Sequence, residues 1–66
     1  MDLNEMLYLL IEKCADVSFA ARRVIRHGWE KKEDRNGPTF GTLLQEEIEK
    51  LRVDLEMLQQ TKNHTA

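Results

Sequence analysis

Residues 28–41, GWEKKEDRNGPTFG, are the one interruption in a chain otherwise patterned for helix, and their reading decides the fold. NGP is turn chemistry: Asn36 and Gly37 tolerate positive φ, and Pro38 disfavours helix in the residue before it. A structureless connection of this length is more often functional or mobile than idle. Before it, Leu3, Leu7, Leu10, Cys14, Val17, Ala21 and Val24 alternate spacings of four and three, a heptad seam. Met6, Ile11, Ser18 and Ile25 flank the seam and widen it to the face of a bundle helix. Asp2 can cap this helix, with Glu5 completing a capping-box pattern. Arg22, Arg23, Arg26 and His27 place positive charge in its last turns, where it suits the helix dipole, and Gly28 supplies the stop.

After the interruption, TLLQ at 42–45 reads as a second capping box. Leu44, Ile48, Leu51, Leu55 and Leu58 form a second seam that ends near Gln60, and TKNHTA reads as a frayed polar tail. The pattern predicts an all-α chain, a single domain over 1–62 built as a long helical hairpin. Its helices cover about 3–27 and 42–60, its loop 28–41, and residues 63–66 form the tail. Two helices leave both seams partly wet, so the expected assembly is a homo-oligomer, a dimer closing a four-helix bundle or a larger array. Tyr8, Leu9 and Phe19 are apolar off the seam. They suggest a second contact surface, although packing against the loop or Trp29 explains them equally well.

Length sharpens that expectation. A chain of 66 residues buries only about 60% of the surface its unfolded form exposes, and domains this small lean on disulfides, metals or partner subunits. Cys14 is the only cysteine, so no internal disulfide forms and no oxidising compartment is indicated. On an apolar stripe it reads as a small packing residue, not a nucleophile. The net charge of −2 argues against a dedicated nucleic-acid binder. MDLNEMLYLLIEK has acids where a signal peptide has bases. Glu12 and Lys13 break the apolar run well short of the ~20 residues of a membrane span. These features predict a soluble, cytoplasmic protein with no membrane or nucleic-acid partner.

The charged positions flanking the seams carry the chemistry. Lys13 and Asp16 stand three apart on the first helix, Glu47 and Lys50 three apart on the second. Four carboxylates at such positions would make an oxygen-rich site for Mg²⁺ or Mn²⁺. LIEKCADVSFAARRVIRHGW (10–29) and TLLQEEIEKLRVDLEML (42–58) resemble the two motif helices of the MazG-like, all-α nucleoside triphosphate pyrophosphohydrolases of bacteria and their phages. That family carries EExxE on one helix and ExxD on the next, across a hairpin connection. The resemblance places the family's metal ligands on Lys13, Asp16, Glu47 and Lys50. Shifting the register to Glu46 and Glu49 would break the match at Ile48 and Leu51 and turn Glu46 to the outermost position of the helix.

Two of the four positions are thus lysines, and the set sums to zero charge unaided. Lys13 with Glu47 and Asp16 with Lys50 form the expected ion pairs, each worth about 0–1 kcal/mol when exposed. At ~4 Å and an effective dielectric near 20, a unit charge pair interacts by about 4 kcal/mol, doubled for a divalent ion. A metal here would face that repulsion from two ammonium groups. The resemblance therefore implies a degenerate pyrophosphohydrolase that binds a nucleotide or related phosphorylated ligand without hydrolysis, with no cofactor. A phage could use such a protein to sequester a nucleotide, in the bacterial or infected host cell. Lys13, Lys50, Arg22, Arg23 and Arg26 are its expected phosphate contacts, supplemented by Lys31, Lys32 and Arg35 in the loop. Trp29 is the expected stacking partner for a base. The arginines also suit the helix dipole, and Trp29 also suits a packing role at the bundle end. Two alternatives stand beside this reading. One is an active Mg²⁺ enzyme using Asp16 and Glu47, helped by Glu12, Glu46 or Asp54. The other is a helical oligomerisation or interaction module.

Overall fold

Two helices make the fold, α1 from Leu3 to His27 and α2 from Phe40 to Thr65, packed against each other as a hairpin. The structure, a computed structural model, describes residues 2–65, with side chains described as far as Lys62. The hairpin is 47 Å long and 15 by 14 Å across. No helix among the described residues is long and apolar enough to cross a membrane.

The first helix begins and ends where its residues dictate. Asp2 has an extended backbone, and its Oδ1 accepts the Glu5 amide at 2.8 Å, satisfying one of the free N–H groups of the first turn. At the other end the Gly28 amide donates to Val24 O at 2.7 Å. The chain leaves the helix there with φ of +99°, a conformation that a side chain would strain.

Between the helices the loop is pinned. The Phe40 amide donates to Lys31 O at 2.8 Å, the Gly41 amide donates to Trp29 O at 2.9 Å, and Lys32 and Thr39 form an isolated antiparallel bridge. Its tip is a turn closed by the Gly37 amide on Asp34 O at 2.9 Å, with Asp first and Gly fourth, the residue pattern of a type I turn. Such a turn uses no positive φ, and among the described residues only Gly28 has one. The expected turn is there, and Asn36 and Gly37, which tolerate a positive φ, do not use one.

The second helix starts earlier than the expected position after Thr42. Thr39 is the capping residue: its Oγ1 accepts the Thr42 amide at 3.1 Å and its carbonyl accepts the Leu43 amide at 3.0 Å. Pro38 just before it restricts Gly37 but leaves Thr39 free to cap. The helix also continues past Gln60 to Thr65. Of the expected tail, Ala66 and the side chains of 63–65, His64 among them, lie outside the described residues.

The contact between helices is narrow. Met6, Ala20 and Phe40 are the buried apolar side chains among the described residues, joined by half-buried Leu10, Val17, Val24, Leu44, Leu51 and Leu58. Thr61 Oγ1 donates to Met6 Sδ at 2.8 Å near the open end, and His27 stacks on Phe40 with centroids 5.0 Å apart at the closed end. Both contacts obey one register, which sets Lys13 level with Asp54 and Asp16 level with Leu51. The expected seam is thus only half used. Leu3, Leu7, Cys14, Ile48 and Leu55 are exposed, because one helix-on-helix contact covers about one stripe of each partner.

Candidate functional site

A cleft of about 750 Å³ opens at the closed end, where the last turns of α1 meet the loop and the start of α2. Its floor is aromatic. Phe40 is 5% exposed, stacks with His27, and has the Arg23 guanidinium 4.7 Å from its ring centre. Phe19 lies one turn back on α1, its ring 5.4 Å from the same guanidinium. The spacing 19, 23, 27 sets these three side chains on one flank of α1, four residues apart.

Arg22, Arg23, Arg26, Lys31 and Lys32 line the cleft, facing a single carboxylate, Glu33. Glu33 is already committed, since its Oε2 lies 2.6 Å from Arg23 Nη2. Arg23 is therefore held by an ion pair and two rings. Arg22, Arg26, Lys31 and Lys32 make no ion pair with any described residue. Among the described residues these four cations thus surround an aromatic floor without a counter-charge, an arrangement whose potential attracts anions. The pinned loop holds Lys31 and Lys32 in place through the Lys31 carbonyl and the Lys32–Thr39 bridge.

Beside the cleft lies a smaller cavity of about 250 Å³, which Asp16 and Glu47 line together with Ala20 and Leu43. Phe19 and Arg23 line both cavities, so the two spaces adjoin. The carboxylates of the resembled metal motif thus do converge across the helices. Among the described residues no group of three or more His, Cys, Asp or Glu side chains is placed to hold a metal ion.

The two lysines fall elsewhere. Lys50 Nζ donates to Glu47 Oε1 at 3.3 Å on its own helix, in place of the expected pairing with Asp16. That short-range contact wins because residues three apart on a helix already meet. Lys13 is half-buried, level with Asp54 and so about two turns from Glu47, and does not make the expected ion pair with Glu47. Asp54 Oδ2 is buried without a hydrogen-bond partner among the described residues. Neither lysine lines the cleft or the small cavity. Trp29 lies outside the cleft as well, with its indole packed on Gly41.

Of the residues singled out in the sequence, the structure brings Arg22, Arg23 and Arg26 together with Lys31 and Lys32. Phe19, His27, Glu33 and Phe40 are the lining residues that the motif pattern does not point to. Phe40 is the apolar residue immediately after the capping threonine, and that position is its signal. Compared with protein-family models, curated proteins and solved structures, the chain matches none of them.

Proposed function

We propose that the chain binds a phosphorylated small molecule of the nucleotide class in the cleft at the closed end of the hairpin. The observation that carries this reading is the convergence of Arg22, Arg26, Lys31 and Lys32, without counter-charges, around the Phe40 floor. A cleft of about 750 Å³ falls within the ~300–1,000 Å³ of small-molecule sites. The cations suit phosphate oxygens, which arginine meets with two parallel donors and lysine as a point charge. Phe19, 62% exposed at the mouth, offers a ring face to a base, the role expected of Trp29. The likeness of 10–29 and 42–58 to the MazG-like enzymes supports the nucleotide class. In this reading the cations neutralise the phosphates directly and no metal takes part.

A second reading rests on the neighbouring pair of carboxylates. Asp16 and Glu47, one cavity away from the phosphate site, would hold Mg²⁺ against a bound triphosphate, and the chain would hydrolyse it. The metal would polarise the phosphate, while Arg22 and Arg26 would hold the rest of the chain of phosphates.

Titration calorimetry with nucleoside triphosphates, with and without Mg²⁺, tests both. Saturable binding without Mg²⁺ that is lost in Arg22→Glu/Arg26→Glu supports the binding protein. Sustained heat only with Mg²⁺, abolished by Asp16→Asn, supports the hydrolase. A flat trace in both conditions, or binding unaffected by the double arginine change, overturns the cleft as a nucleotide site.

A further inference from the structure

The acid that lines the cleft stands where a bound anion would. Glu33 Oε2 lies 2.6 Å from Arg23 Nη2, while Arg22, Arg26, Lys31 and Lys32 around them are all positive. Arg23 is the cation of the floor. Its guanidinium lies 4.7 Å from the ring centre of Phe40 and 5.4 Å from that of Phe19, and it also lines the adjoining small cavity. A phosphate that reaches the floor therefore meets Arg23, and finds a carboxylate already on it.

The two partners differ in freedom. The Arg23 side chain is 25% exposed and braced by two rings, whereas that of Glu33 is 71% exposed. Among the described residues the Glu33 carboxylate has no second ion pair. Glu33 follows the Lys32–Thr39 bridge and precedes the turn closed by the Gly37 amide on Asp34 O, so its side chain can turn outward without breaking either. An exposed pair of this kind is held by about fivefold at most. A terminal phosphate offers the same guanidinium two parallel acceptors and a charge of about −1.5 to −2 against the −1 of a carboxylate. The unpaired cations nearby attract it further.

We propose that Glu33 is a built-in competitor for the anion site. Without ligand its carboxylate occupies Arg23; when a phosphorylated ligand binds, it swings out to solvent and leaves the guanidinium to the phosphate. Glu33 thereby lowers the affinity of the cleft and speeds release of what it holds. This inference rests on the nucleotide reading, because it gives Glu33 a role only in a cleft that takes phosphate. A purely structural role predicts the opposite sign: if Glu33 serves to pin the loop on α1, its loss loosens Lys31 and Lys32 and weakens binding.

Titration calorimetry with ATP in the absence of Mg²⁺ tests the sign, on the unaltered chain, Glu33→Gln and Glu30→Gln. Glutamine keeps the shape of the side chain at an exposed loop position, so the fold is retained. Glu33→Gln is expected to bind about fivefold tighter. Glu30→Gln removes the same charge from the same loop outside the cleft, and is expected to bind as the unaltered chain does. Unchanged or weaker binding by Glu33→Gln, or an equal gain in Glu30→Gln, overturns the competitor and leaves the nucleotide site standing. The absence of saturable heat in all three chains overturns the nucleotide site, and the competitor with it.

Discussion

The indole of Trp29 lies across the α-carbon of Gly41, so closely that a methyl group added at Gly41 would overlap the ring. The Gly41 amide donates to Trp29 O at 2.9 Å, so backbone and ring are tied at the same point. Gly41→Ala must push a rigid indole aside at the junction of loop and second helix. It is expected to cost about 1–3 kcal/mol, the range for overpacking. Urea denaturation followed by tryptophan fluorescence reads both the loss and the changed environment of the ring. An unaltered midpoint would show that the ring has room to move.

Asp54 is half-buried, and its Oδ2 is buried without a hydrogen-bond partner among the described residues. A buried carboxylate oxygen without a partner costs about 1–3 kcal/mol or more. Asp54→Leu is therefore expected to stabilise the hairpin by about 1 kcal/mol, raising Tm by about 4–8 °C in a chain of this size. The half-buried Lys13 at the same level then loses the nearest acid along the register, so Lys13→Met/Asp54→Leu should melt no lower than Asp54→Leu alone. A drop in Tm for the single change would mean that the acid is used.

The three arginines of the cleft divide into two roles. Arg22 and Arg26 make no ion pair with any described residue, so alanine at either leaves Tm nearly unchanged and weakens phosphate-ligand binding about tenfold, ~1.4 kcal/mol. Arg23 bridges Glu33, Phe19 and Phe40, and Arg23→Ala lowers Tm as well as affinity. Calorimetric titration beside thermal melts separates the two. Raising salt should weaken the binding throughout, since these charges are open to solvent.

On the outer side of α2, hydrogen bonds from the Arg52 guanidinium hold the Glu49 carboxyl below its ordinary range, with the positive charge of Arg52 adding to the effect. A carboxyl whose folded value is depressed contributes stability above its unfolded value, about 4.3. That contribution disappears as pH falls through the depressed folded value. Glu49→Gln should therefore unfold more readily than the unaltered chain at pH 7, with the difference narrowing on acidification and in high salt. A difference that grows on acidification would contradict the direction. The effect is small, as for any exposed pair.

Local chemistry made α1 legible: an acceptor side chain at Asp2 and a glycine at 28 bracket one apolar repeat, and the helix ends where they stand. At α2 two threonines compete for the cap three residues apart, and nothing local separates them. The loop decides, since bonds from Phe40 to Lys31 and from Gly41 to Trp29 start the helix a turn early. The apolar pattern also shows more than one stripe, and periodicity does not say which stripe meets which helix. Cys14 and Leu7 fall outside the inter-helix contact for that reason. At the site, three arginines in five residues were plain to read. The Phe40 floor depends on a contact with His27 across thirteen residues of chain, which no local spacing encodes.

The pinned loop separates an anchored base from a detachable tip. Lys31, Lys32, Thr39 and Phe40 are fastened to one another, while residues 34–38 close only on themselves through the Asp34–Gly37 turn. Lengthening that tip would add little closure entropy, about 0.6 kcal/mol for each doubling of its length. Residues 35 and 36 are accordingly the place where a peptide tag or a fluorophore can be inserted without loosening the cations beneath it. Sequence drift at the tip should be free in a way that drift at Thr39 or Phe40 is not.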